Sequence, residues 1–189
     1  VAEVDAREAA LRGAPQVSAL PRPHTSEGRQ LRRWLTQLLV TERVIAREAA
    51  ALGVTVTATT PTQDEVLPDV TARLEIGSIA ASVLTDPLAR AMFDHITRDV
   101  DVDGAAVADY HARNPRRFAR ARGADGWLRP GPDPGIDEVR PHIAALLRGA
   151  ARRQAFRRWL DQRRAELVLL APGYEHPGDP RQPDNTHKH

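Results

Sequence analysis

Between Leu31 and Gly53 the positions Leu31, Trp34, Leu35, Leu38, Leu39, Glu42, Ile45 and Ala49 recur at steps of three and four. That spacing predicts one face of an α-helix, with Arg29, Arg32, Arg33, Arg43 and Arg47 on the opposite side. Thr25-Ser26-Glu27 offers a cap and early negative charge, and Gly53 a stop. Upstream, helix-favouring residues run from Val4 to Leu11 and end at Gly13-Ala14-Pro15; Pro21 and Pro23 then predict an extended link.

Downstream, the β-branched run Val54 to Thr60 has no evident strand partner and reads as a connection, and Asp64 to Pro68 opens a short helix. Val70, Leu74, Ile76, Ile79, Ala80, Val83 and Leu84 form one broad apolar face with Gly77, Ser78 and Ala81 among them. Thr85-Asp86-Pro87 restarts a helix, with proline in its first turn and a stripe through Leu88, Ala91, Met92, His95 and Ile96. Asp101 to Asp103 caps a further helix, Gly104 to Arg113, and Gly123 to Gly135 reads as a loop. The longest helix starts near Ile136, with Pro141 in its first turns, and reaches about Leu170. Its apolar register drifts at Gly149, which predicts a curve or a change of packing partner. Four prolines punctuate Pro172 to His189, a stretch with almost no apolar side chains. The pattern as a whole predicts an all-α chain with one long C-terminal helix and an extended C-terminal tail.

Composition supports this. The 189 residues suit one domain with tails, and aromatic residues at 4% leave the core to Leu, Val, Ile and Ala, which pack well between helices. Cysteine is absent, so this chain has no disulfides, thiolate nucleophiles or cysteine-held clusters or zinc. Val1 to Arg12 carries no apolar signal-peptide core, and no apolar run approaches the roughly 20 residues of a membrane span. The expected location is cytoplasmic, with at most peripheral contact at the inner face of the membrane.

Candidate chemistry is sparse. His176, His187 and His189 stand near Glu175, Asp179 and Asp184, which are metal-ligand types, but a tail of this composition supplies no fixed geometry. Docking on a partner protein through Tyr174, His176, Arg181 and His187 is the better reading. The pairs Asp64-Glu65 and Asp137-Glu138 sit at helix starts, where the helix dipole accounts for them. Ser78 and Ser82 lack a glycine-framed elbow, and no phosphate-binding loop exists. No catalytic residue, metal ligand or resident cofactor is assigned.

From His111 to Arg164 there are fourteen arginines against five acidic residues, with Trp127, Phe156 and Trp159 interspersed. Such a cluster could neutralise phosphates on nucleic acid or an anionic surface. Arg152, Arg153, Arg157, Arg158, Arg163 and Arg164 equally suit the solvated face of a long helix, and no nucleic-acid motif accompanies them. Nucleic acid therefore ranks below protein as a partner. The wide apolar faces suggest a homo-oligomer in which Leu31, Trp34, Leu35, Leu38, Leu39, Leu74, Ile79 and Val83 form a shared face or an apolar lumen.

The stretch Val107-Ala108-Asp109-Tyr110-His111-Ala112-Arg113-Asn114-Pro115-Arg116-Arg117-Phe118 resembles the "V..YY..NP..F" segment that leads into the isomerase domain of parvulin-type, SurA-like foldases. Val4 to Arg12 is similar to that family's first helix, and Leu31 to Gly53 to its long helix with the pattern "L..LI...L...EA...G". Ile136 to Leu170 looks like the helix that follows the isomerase domain. The resemblance implies a SurA-like helical chaperone module. Only Ala119 to Gly135 lies where the isomerase domain would stand, so isomerase activity is not expected. The family's secretory signal and first short strand have no counterpart.

These readings divide the chain into an N-terminal helix and linker over 1–24, a helical chaperone-like or oligomerisation domain over 25–170, and a Pro- and His-rich tail over 171–189. The expected function is a non-catalytic scaffold or assembly subunit that holds partner proteins. A less specific likeness, to the helical stalk subunit of actinobacterial NiFe hydrogenases, implies tethering of that enzyme and sheltering of a quinone in an oligomeric apolar cavity. The alternatives are a cytoplasmic holdase-type chaperone and a binder of nucleic acid or anionic surfaces.

Overall fold

The computed structural model describes residues 1–13, 20–114, 117–118, 121–122, 129–130, 135–172 and 174. The described residues form eight helices and one two-residue ladder, and are otherwise all-α in architecture. Helix α1 (Ala2–Arg12) is followed by α2 (Ser26–Leu52), which forms where the apolar stripe predicts it. Thr25 caps α2, its hydroxyl oxygen accepting from the Gly28 N–H at 3.1 Å.

The approach to α2 is a turn rather than the extended link expected. Arg22 to Thr25 closes with the Thr25 N–H on the Arg22 carbonyl, and His24 takes a left-handed φ of 66°. Pro23 followed by a positive-φ residue is the arrangement of a type II turn. The turn lays the Arg22 carbonyl on the first turn of α2, where a Cβ on Gly28 would come within 2.3 Å of it. Glycine at 28 is therefore a matter of close approach.

The run Val54 to Thr60 is a connection, as expected, with no helix or strand. α3 (Gln63–Val66) is a single turn held by a capping box between Thr62 and Glu65. α4 (Val70–Ile76) is capped by Asp69, whose carboxylate accepts from the Ala72 N–H at 2.7 Å. The apolar face expected to continue through Leu84 breaks at Gly77, at φ 88° and ψ 154°, a conformation that L side chains rarely adopt. α5 (Ser78–Val83) starts in a new direction, so Ala72, Ile76, Ile79 and Val83 all reach the interior. Val70 and Leu74 point outward, 71% and 76% exposed.

α6 (Pro87–Thr97) and α7 (Gly104–Arg113) begin at the capping residues Asp86 and Asp103. β1 (Ala121–Arg122) and β2 (Arg129–Pro130) pair antiparallel, so a short ladder stands just before and within the stretch Gly123 to Gly135 read as a loop. α8 (Ile136–Leu167) closes the chain's helical part, with Pro141 in its second turn.

The core joins α2, α4, α5, α6 and α8. Its centre is Phe156, fully buried, with its ring 5.3 Å from that of Phe93 and 5.4 Å from that of Trp159. Around these rings the filling is aliphatic, as the composition requires. Buried Thr41 and Thr97 return their hydroxyls to the carbonyls of Gln37 and Phe93, each at 2.7 Å, and so leave no polar group stranded.

α1 joins this body differently. Val4 is its one buried apolar side chain, and charges supply the rest: Glu3 pairs with Arg43, Asp5 with Arg32 at 2.6 Å, Arg7 with Glu42 at 3.4 Å. Glu8 is gripped by Arg12 at 2.7 Å and Arg32 at 2.6 Å. Hydrogen bonds from Arg12, aided by Arg32, hold the Glu8 carboxyl below the usual carboxylate range, although burial works the other way. The exposed pairs among these each contribute about 1 kcal/mol or less, so α1 is held mainly by charge, with Val4 and Glu8 its buried side chains.

Three outcomes follow. Phe156→Ala should cost about 3–5 kcal/mol in denaturant unfolding. Tryptic cleavage after Arg7 should accelerate in about 1 M salt, where the screening length is about 3 Å, while cleavage in α8 does not. Because the Glu8 carboxyl is depressed, its contribution is full above its ordinary value of 4.5 and is lost as pH falls through its lower folded value. An acid titration followed by NMR should therefore place the Glu8 midpoint below 4.5, with the α1 amides losing protection as it protonates.

Candidate partner-binding groove

α8 carries an arginine at almost every turn beyond its middle, and most of them reach into a different neighbour. Arg148 donates through Nε and Nη2 to Asp101, at 2.9 and 2.7 Å. Arg152 reaches Thr97 Oγ1 at 2.8 Å and Asp94 at 2.6 Å, with its guanidinium 5.0 Å above the Phe93 ring. Arg153 places Nε and Nη2 on one oxygen of Glu75, at 2.9 and 2.7 Å. Arg157 donates to the Glu75 carbonyl at 3.2 Å. Arg163 Nε lies 3.3 Å from Glu48, an ion-pair distance without hydrogen-bond alignment. Arg164 donates to the Gln37 side-chain oxygen. The partner of α8 thus changes along its length, from the α6–α7 link to α6, α4 and finally α2.

This corrects the solvated arginine face. Arg153 is only 7% exposed and Arg152 25%, because α4 and α6 flank α8 on that side and their acidic groups draw the guanidiniums inward. Arg157 and Arg158 remain exposed.

Along the same helix the surface is concave. A cavity of about 550 Å³ lies between α4, α7 and α8, with Val102, Ala106, Leu147, Ala150 and Ala151 forming an apolar floor and Glu75, Gln154 and Arg157 a polar rim. A second, of about 390 Å³, follows at the α4–α5 break, between Ile76, Gly77, Ser78, Ile79 and Ala80 on one side and Leu160, Asp161 and Arg164 on the other. Arg157 lines both and reaches across to the Glu75 carbonyl between them, so the two concavities follow one another as an interrupted groove along α8 from Leu147 to Arg164, about 26 Å of helix at 1.5 Å per residue. Small side chains and the kink at Gly77 leave this space open.

The residues expected to form an oligomer face separate. Leu35, Leu38, Ile79 and Val83 are buried in the chain's own core and present no face to a second copy or a lumen. Leu31, Trp34 and Leu39 are half-buried, and Leu74 is exposed. The reason is local: α5 and α6 both lie along α2 and cover its stripe. Of the proposed docking residues, Tyr174 is half-buried, and its carbonyl accepts from the Gln37 side chain at 2.7 Å. His176, Arg181 and His187 lie outside the described residues, as do His189, Glu175, Asp179 and Asp184. Among the described residues no group of three or more His, Asp or Glu side chains is placed to hold a metal ion, and no helix is long and apolar enough to cross a membrane.

In the stretch from Val107 to Phe118, Asn114 closes α7 by donating to the Tyr110 carbonyl at 2.9 Å. Phe118 then lies with its ring 6.2 Å from Tyr110, 6.3 Å from His111 and 5.9 Å from His142 on α8. Phe118 thus packs between α7 and α8.

The groove itself escaped the sequence reading. Gly149-Ala150-Ala151 was the available signal, since a run of small residues on a helix between bulky neighbours leaves a hollow.

Glu75→Gln should cost about 1–3 kcal/mol, because it strands the buried Arg153 beside an uncharged amide, with the partial exposure of Glu75 limiting the loss. Replacing both, Glu75→Leu with Arg153→Met, should recover part of that loss in urea unfolding.

Residues 1–27, which comprise α1 and the start of α2, match a family of unknown function, DUF7158. No curated protein and no solved structure matches the chain.

Proposed function

We propose that this chain is a non-catalytic helical scaffold or assembly subunit, and that it holds a partner protein along α8. The observation that carries the reading is the groove: an apolar floor with a charged rim, on a helix braced from several sides. Preformed concavities of this kind receive the anchoring side chains of a partner helix or peptide, and a rigid receiving surface lowers the ordering cost of binding. Val70 and Leu74 add an outward apolar pair on α4, the helix that forms one bank. The foldase resemblance supports the same reading, since it is the client-holding module that the chain is similar to. Self-association and a cytoplasmic location belong to this proposal. An apolar lumen sheltering a quinone does not, because Leu35, Leu38, Ile79 and Val83 are enclosed.

Native purification with mass measurement should yield a defined partner at fixed stoichiometry. Ala106→Arg, at an exposed position of the groove floor, should release that partner while leaving the melting temperature within a few degrees. A wild-type chain that purifies as a lone monomer contradicts the scaffold. Suppression of aggregation of many unrelated clients would instead favour the holdase reading.

A further inference from the structure

At the α4–α5 end of the groove the charges do not close. Arg164 is half-buried, and among the described residues its side chain donates to one acceptor, the neutral amide oxygen of Gln37. Its Nε is enclosed and has no hydrogen-bond partner among the described residues. Burial pulls its guanidinium below the ordinary value, with only Asp161 working against that. Asp161 is 66% exposed, pairs with Arg157 at 4.0 Å, and makes no hydrogen bond to Arg164 among the described residues. A cation withdrawn from water without a carboxylate is unfavourable, and proteins ordinarily pair such groups.

The cleft beside Arg164 holds about 390 Å³ over a floor that includes Ile79 and Leu160. Arg157 stands at its other end, about 10 Å back along α8. The charged groups of its wall, Arg157, Asp161 and Arg164, sum to a single positive charge. A monoanion balances that charge; a dianion such as phosphate overshoots it and meets Asp161. We propose that this cleft binds an apolar monocarboxylate, with the carboxylate against Arg164 and the hydrocarbon chain over Ile79 and Leu160. Guanidinium is suited to the role because its planar donors match the two oxygens of a carboxylate. The site does not depend on a protein partner in the groove, so either reading can fail alone.

The test is an NMR titration of the full chain with octanoate, in parallel with acetate, octanol and octylamine. Octanoate should shift the amides of Gly77 to Ala80 and Leu160 to Arg164, and should bind at least about tenfold more tightly than the other three. Arg164→Gln should lose about tenfold in octanoate affinity. Since Arg164 also holds Gln37, Ser78→Trp provides the second variant: it fills the exposed mouth, leaves the Arg164–Gln37 contact in place and should abolish binding. If Arg164→Gln fails to fold, Ser78→Trp decides alone, and unchanged affinity there overturns the proposal. Equal binding of octanoate and octanol (an apolar patch only), equal binding of octanoate and acetate (an anion contact only), or shifts confined to other helices also overturn it.

Discussion

Arg153 is the contact on which the placement of α8 most depends. Its guanidinium is almost wholly inside the protein, set on Glu75 and close to the Val66 carbonyl, so one side chain joins α8, α4 and the end of α3. Arg152, four residues after Arg148, does the same toward α6. In a chain with few aromatic rings, the arginine stems supply both covering area and fixed polar ends. Phe156, one turn beyond Arg152 and Arg153, is then held between Phe93 and Trp159. The apolar centre and the ionic collar around it orient α8 together, and the concavity along α8 follows from that orientation.

Charge does two different jobs in this molecule. Around α8 the pairs are partly buried and bridge helices that also share the apolar core. Between α1 and α2 they are mostly exposed and stand almost alone, with Val4 the only apolar side chain that α1 buries. The first arrangement resists salt, while the second is screened by it. The family match covers α1 and the turn that leads into α2, but neither the α2 residues with which α1 pairs nor the groove-bearing body.

Much of the architecture was legible in the residues. The caps Thr25, Asp86 and Asp103 and the stripe from Leu31 to Ala49 locate α2, α6 and α7 because local hydrogen bonding and periodicity decide them. The partner change of α8 beyond Gly149 was legible from its drifting register. Two local features were misread. Pro21 and Pro23 suggested extension, but a turn needs only proline followed by a residue that tolerates positive φ, and His24 does so. Gly77 was read as a small residue within a face, whereas its conformation splits that face in two. Burial could not be read at all: Leu35 and Leu39 look alike in a helical stripe, yet the first is fully buried and the second only in part. The arginines of α8 were misassigned for the same reason, since nothing local distinguishes a guanidinium that faces Glu75 from one that faces water. The groove is a property of several elements at once and leaves only the small-residue run as its trace.

The central claim is that α8 is a rigid spine fixed by its internal arginines, with α1 a loosely held attachment. Native-state hydrogen exchange tests it most directly. Amides from Ile143 to Leu160 should exchange only through global unfolding, while those of α1 exchange through a much smaller opening. Exchange of the α8 amides through an opening well below the global one, at or ahead of α1, would contradict it.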